Sequence, residues 1–286
     1  MARRSVLFSP GDKPELMRKA PGTDADTVIF DLEDAVAPGR KETARETVAD
    51  VLTDPSFDPD CEVCVRVNPD LRAAVCDVEA ITADEPRLDS VIVPKVESAD
   101  DVARVEELLG GSGYDLPILA LCESASGVLA AEEIAATDPV DALVFGAEDL
   151  SADIGATRTE GGKEISYARR HVVLAAGSAG VDAIDTLVTD IGATDRLAEE
   201  TAFARQLGYD GKIAIHPAQV EVINETFTPD PEDVEWARKV IDAAETAESE
   251  GRGVFRVDDE MIDAPLIARA ETILDRYRAA ENGGRE

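Results

Sequence analysis

Positive charge is what this sequence most lacks. Its 286 residues carry 28 lysines and arginines against 61 aspartates and glutamates, a formal net charge of −33. A nucleic-acid binder needs a basic face to neutralise phosphates, and a pI near 4.2 argues against one. The same imbalance disfavours docking on anionic membranes. Lysine is the scarcer cation, seven against twenty-one arginines. Many carboxylates with few lysines suit a cytosol rich in salt, where a Debye length of about 3 Å at molar ionic strength screens self-repulsion. An extreme halophile is the expected source.

Cysteine and histidine are also sparse. Cys61 and Cys64 form a C-x-x-C at a strand-like run, Glu62–Val67, in which positions three apart face opposite sides. No second C-x-x-C follows, Cys76 and Cys122 stand alone, and the histidines are His171 and His216. Neither a disulfide framework nor a zinc site is expected. No apolar run approaches the ~20 residues that span a bilayer, and the first residues lack the apolar stretch of a signal peptide. A cytoplasmic protein is the expectation.

Apolar residues are not lacking. At 44% of the chain they recur in regular runs, which excludes a disordered acidic polymer. At about 150 residues per domain the length fits two small domains or one large α/β unit. The strand candidates are Ser5–Ser9, Thr27–Asp31, Glu62–Val67, Ser90–Val93, Pro117–Leu121, Asp141–Phe145, Asp182–Ile184 and Lys212–Ile215. Helical spacing appears over Ala99–Leu109, Val128–Ala136, Tyr167–Ala179 and Leu197–Leu207. Apolar strands alternating with helices predict a parallel sheet covered on both faces, and eight such units match a (β/α)8 TIM barrel. A doubly wound open sheet is the alternative, but the first loop, Ser9-Pro10-Gly11-Asp12, is no dinucleotide fingerprint. The break at Gly251-Arg252-Gly253 suggests a barrel domain over residues 1–250 and a C-terminal helical extension over 251–286.

In such a barrel the chemistry sits at the C-terminal strand ends. Those ends carry Asp31-Leu32-Glu33-Asp34, Arg66-Val67-Asn68, Lys95-Val96-Glu97, Glu123, Glu148-Asp149, Asp185 and His216. An acid-rich mouth without a cysteine or histidine cluster suits a hard divalent cation with oxygen ligands. The bland reading makes these carboxylates helix caps. It has more force for Asp149 than for Glu123, because Ser124 is the better cap. Arg66 ends an apolar strand, so it either pairs internally with a carboxylate or grips an anionic substrate bidentately; a neighbouring metal site favours the second. Lys95 reads as a charge partner for the acidic mouth rather than a Schiff-base lysine.

Seven strings occur in a telling order. They are Leu7-Phe8-Ser9-Pro10-Gly11-Asp12, Asp31-Leu32-Glu33-Asp34-Ala35-Val36, Val65-Arg66-Val67-Asn68 and Val93-Pro94-Lys95-Val96-Glu97-Ser98, then Phe145-Gly146-Ala147-Glu148-Asp149-Leu150, Ile215-His216-Pro217-Ala218-Gln219 and Met261-Ile262-Asp263-Ala264-Pro265. Across nearly its whole length the sequence resembles the HpcH/HpaI aldolase/citrate lyase β-subunit-like family, in its malyl-CoA, β-methylmalyl-CoA and citramalyl-CoA lyase branch. The resemblance implies a TIM barrel and dependence on Mg2+, with Mn2+ as a substitute. It also implies a CoA thioester and a small 2-oxo acid as ligands, and a homotrimer or dimer of trimers.

Carried over by position, the resemblance makes Glu123 and Asp149 metal ligands and Arg66 the grip on the 2-oxo acid. Asp263 becomes the catalytic acid/base, in an extension that packs on a neighbouring subunit. Phe8, Lys19, Arg40, Arg45, Ile215 and His216 become the CoA site. His216 is then a structural or thioester contact rather than a general base. Ser9 stands where valine is common in the family, Ser124 keeps the hydroxyl of a frequent threonine, and Asp185-Thr186-Leu187-Val188 replaces an Asp-Thr-Pro-Tyr string near the acyl chain.

The expected activity is Mg2+-dependent, reversible carbon–carbon cleavage of a 3-hydroxyacyl-CoA to an acyl-CoA and a 2-oxo acid such as glyoxylate. Alternatives are a citrate lyase β subunit, a citramalyl-CoA lyase, or a malate-synthase-like activity. A non-catalytic CoA- or oxo-acid-binding module is the alternative of another class. Residues 1–45 balance eight basic against eight acidic residues, so the whole of the −33 lies in the rest. That neutral segment reads as the docking place for anionic CoA.

Overall fold

A computed structural model describes residues 2–249 and 251–282. Eight strands, β1 (Ser5–Pro10), β2 (Thr27–Asp31), β3 (Glu62–Arg66), β4 (Ser90–Val93), β5 (Ile118–Cys122), β6 (Val140–Phe145), β7 (Asp182–Asp185) and β8 (Gly211–Ala214), close into one barrel. Neighbours are parallel and follow chain order, and β1 pairs with β8 to complete the ring. The helices between them are α1 (Pro14–Met17), α2 (Lys41–Leu52), α3 (Leu71–Ile81), α4 (Ala99–Gly111), α5 (Ala125–Leu129), α6 (Ala131–Ala135), α7 (Ala147–Asp153), α8 (Ser166–Ala179) and α9 (Thr194–Leu207). The helical spacing over Val128–Ala136 thus belongs to two short helices, divided at Ala130.

Strand alternation sorts the side chains. Val6, Ile29, Cys64, Ile92, Leu121, Val144, Ile184 and Ile213 point inward and form the barrel's middle layer. Their neighbours Val28, Phe30, Val63 and Val65, equally buried, face the helices. Burial on both sides is why the strands read as continuous apolar runs. One step toward the N-terminal ends, the interior is closed by polar groups. Glu62 accepts from Arg3 Nε at 2.7 Å, Thr27 Oγ1 at 2.9 Å and Ser90 Oγ at 2.6 Å. One step toward the C-terminal ends lie Phe8, Asp31, Arg66, Glu123, Gly146, Thr186 and Ile215, all of them at one pocket.

The chain divides into two compact units, Arg3–Asn224 and a C-terminal unit that begins at Glu225, within α10 (Pro217–Phe227). The C-terminal unit holds α11 (Pro231–Ser249), a hairpin of β9 (Phe255–Val257) and β10 (Glu260–Ile262), and α12 (Ala264–Asn282). Val240, Ala247, Phe255, Ile262, Ala270 and Leu274 form its own apolar core. The Gly251-Arg252-Gly253 break lies inside this unit, because α11 packs against α12 across it. The four cysteines are free thiols, and Cys64 and Cys122 are fully buried. No helix among the described residues is long and apolar enough to cross a membrane.

Candidate active site

The pocket at the C-terminal strand ends has a volume of about 250 Å3. Asp31 and Arg66 are register partners on β2 and β3, so both project into it side by side. Asp31 accepts from Arg66 Nε at 2.7 Å and from Nη2 at 2.6 Å, and two backbone N–H groups, of Glu33 and Ala35, hold the same carboxylate. Glu33 Oε2 stands 3.1 Å from Arg66 Nη1, and the guanidinium lies 5.0 Å from the Phe8 ring centroid. Internal pairing, one of the two readings open for Arg66, is therefore realised. It still leaves the edge between Nη1 and Nη2 with N–H groups that Asp31 does not take.

Glu123 follows β5 directly and is 4% exposed. Its Oε1 accepts from the Lys95 backbone N–H at 2.9 Å. Burial, then the charge of Asp149, pushes its carboxyl up to about 8, while the Lys95 N–H and Arg66 pull the other way. Ser124, not Glu123, caps α5, accepting from the Gly127 N–H at 3.0 Å. Gly146 lets the next strand pass: a Cβ there would overlap that of Glu123 and sit 2.9 Å from its Oε2. Asp149 lies in the first turn of α7, makes no cap bond, and opens on the same pocket.

Barrel and pocket agree with what comparison finds. The description "HpcH/HpaI aldolase/citrate lyase" matches residues 4–217, and "C-C_Bond_Lyase of the TIM-Barrel fold" matches residues 164–280. The chain belongs to the HpcH/HpaI aldolase/citrate lyase family. It is 40% identical over 276 residues to a citrate lyase subunit beta-like protein of Deinococcus radiodurans, covering 95% of this chain and 96% of that protein. It is 35% identical over 290 residues to the mitochondrial citramalyl-CoA lyase of Mus musculus, covering 95% and 85%. The crystal structure of protein CitE from Mycobacterium tuberculosis in complex with magnesium, acetoacetate and coenzyme A matches with a TM-score of 0.79 at 35% identity. It covers 96% of this chain and 98% of that one.

Within this lyase-family barrel, the structure brings Arg66, Glu123, Asp149, Phe8 and Ile215 to one pocket. Lys19, Arg40, Arg45 and His216 lie outside its lining. Arg40 pairs with Asp12 at 3.0 Å, and Arg45 is tied to the fully buried Asp77 at 2.6 Å. His216 Nδ1 accepts from the Ala218 N–H at 3.1 Å, which ties the exposed ring to the start of α10. Asp263 is exposed at the start of α12, in the C-terminal unit.

One strand-end residue is corrected. Asp185 does not face the mouth. Its inward neighbour is Ile184, so Asp185 points outward and is fully buried, accepting from Arg169 Nε at 2.8 Å and Lys212 Nζ at 2.6 Å. Thr186 and Leu187, read only as a departure in that string, line the pocket instead. Glu33, which the sequence offers only as one acid of a strand-end string, bonds Lys95 Nζ at 2.6 Å as well as facing Arg66. Its place in the Asp31-Leu32-Glu33-Asp34 string was the available signal.

Proposed function

We propose that this chain is a Mg2+-dependent lyase that reversibly cleaves a malyl- or β-methylmalyl-type 3-hydroxyacyl-CoA into an acyl-CoA and a 2-oxo acid such as glyoxylate. The observation that carries the proposal is Glu123, Asp149 and Arg66 lining one small pocket together. The donor set fits the metal. Glu123 and Asp149 give two carboxylates at one pocket, and Mg2+ typically takes one or two protein carboxylates and leaves room for water and substrate. Burial first, and then the charge of Asp149, raise the carboxyl of Glu123, and a cation at this pair would offset both.

Bound Mg2+ supplies a Lewis acid for the oxygen that becomes the carbonyl of the oxo acid. Arg66, oriented by Asp31 and Glu33, presents the N–H groups that Asp31 does not take to the substrate carboxylate, a charge-assisted and directional contact. Beside the pocket, Lys95 bonds Glu123 through its backbone N–H and Glu33 through Nζ, which holds both carboxylates in place. Asp263, supplied by a neighbouring copy in a trimer-based assembly, protonates the acyl-CoA α-carbon on cleavage and removes that proton on condensation.

The test pairs acetyl-CoA and propionyl-CoA with glyoxylate and pyruvate at high KCl, with and without Mg2+, following CoA-ester products. Asp263→Ala is expected to abolish turnover while Mg2+ and oxo-acid binding persist; wild-type activity in that variant defeats the assignment. The likeness to a citrate lyase β-like protein favours a second reading, a subunit acting on a carrier-bound citryl thioester. Turnover of free CoA thioesters by isolated protein decides between the two.

A further inference from the structure

Lys95 is a basic residue at the mouth of an acidic pocket, yet its contact with Glu123 is made by its backbone. Its φ is +53°, in the left-handed region that a non-glycine residue enters at a cost. That conformation aims the Lys95 N–H at Glu123 Oε1, 2.9 Å away. The other end of the residue is also held. Nζ bonds Glu33 Oε1 at 2.6 Å, Glu33 is buried, and Asp34 lies further off at 3.9 Å. Glu33 is in turn anchored beside Arg66.

We infer that Lys95 is a positioning residue whose side chain acts as a strut. By bonding Glu33 it keeps its own backbone left-handed, and so keeps Glu123 oriented for Mg2+. The inference rests on the Mg2+ site proposed above and adds to it a device for holding the ligand. Without the strut, an ordinary residue relaxes to negative φ and turns the N–H away from Glu123. Glycine and asparagine, which tolerate the left-handed region, keep the N–H in place without reaching Glu33.

The sign of the effect separates this from simple electrostatics. Removing a positive charge near a cation site strengthens Mg2+ binding by Coulomb's law, whatever residue replaces the lysine. The strut demands instead that replacements divide by backbone preference. The experiment titrates the full-length protein with MgCl2 by calorimetry for wild type, Lys95→Gly, Lys95→Asn, Lys95→Ala and Lys95→Met. Lys95→Gly and Lys95→Asn are expected to match or exceed wild-type affinity. Lys95→Ala and Lys95→Met are expected to bind about fivefold or more weakly than that pair, the equivalent of the left-handed penalty. Lys95→Met decides the question if Lys95→Ala does not fold. Equal affinities in all the variants overturn the strut. A wild-type protein that binds no Mg2+ overturns the proposed site itself, and the strut with it.

Discussion

Glu123 is buried beside Asp149, and burial, then that charge, pushes its carboxyl up to about 8. An unfolded glutamate loses its proton near pH 4.5, so the stability this group contributes is fully present below that value. It is lost as pH rises through about 8. Mg2+ must displace the proton, so its affinity is expected to climb about tenfold per pH unit below 8 and level off above. Calorimetry in buffers of different ionisation enthalpy checks this: close to one proton is released per Mg2+ at pH 6.5, and none in Glu123→Gln. At this scale the sequence is legible where a side chain sits at or just past its own strand end, as for Arg66, Glu123 and Asp149, which line one pocket. It was not legible for Lys95, whose contribution to Glu123 comes from a backbone N–H at a φ no letter announces.

At the scale of elements, Asp185 shows what a one-residue step means in a strand. Ile184 takes the interior, so Asp185 goes to the outer face beneath α8 and α9. There it joins Arg169, Glu200 and the fully buried Lys212. Burial lowers the Lys212 pKa and Asp185 opposes that shift. Removing one member of such a cluster leaves a buried charge unpaired. Asp185→Asn is expected to cost about 3–5 kcal/mol of unfolding free energy, read from urea melts, and Lys212→Met less than Asp185→Asn. The strands themselves were legible to within a residue or two because two-sided burial leaves a dense apolar signature. The β9–β10 hairpin was not: it is three residues on each side of a turn, with Asp258 at positive φ, and its partner is α11 rather than the barrel sheet.

At the scale of the whole molecule the charge acquires a location. Of the basic residues in 1–45, Arg3, Arg4, Arg18, Arg40 and Arg45 pair with Glu62, Asp26, Asp54, Asp12 and Asp77. Lys41 spends its ammonium on two backbone carbonyls and Asn68. Most of the segment's basic residues are thus already paired, three of them with carboxylates outside it, and the broad reading of the segment as an anion dock narrows accordingly. The remaining excess of carboxylates repels itself across the surface. The melting temperature is therefore expected to rise between 0.1 and 2 M KCl as screening shortens the Debye length from about 10 to about 3 Å or less. A thermal melt series in which it falls instead contradicts the salt-adapted reading.

The sequence by itself determined the barrel class, since burial on both faces writes apolar runs that alternate with helices. It also determined the acidic character of the chain, since the formal charge of −33 is a sum over residue types. Only the tertiary structure decided which strand-end charges share a pocket. Whether Asp31 meets Arg66, or Asp185 meets Lys212, depends on the register between neighbouring strands and on the side each residue faces. Those are relations between segments far apart in the chain, set by how the barrel closes.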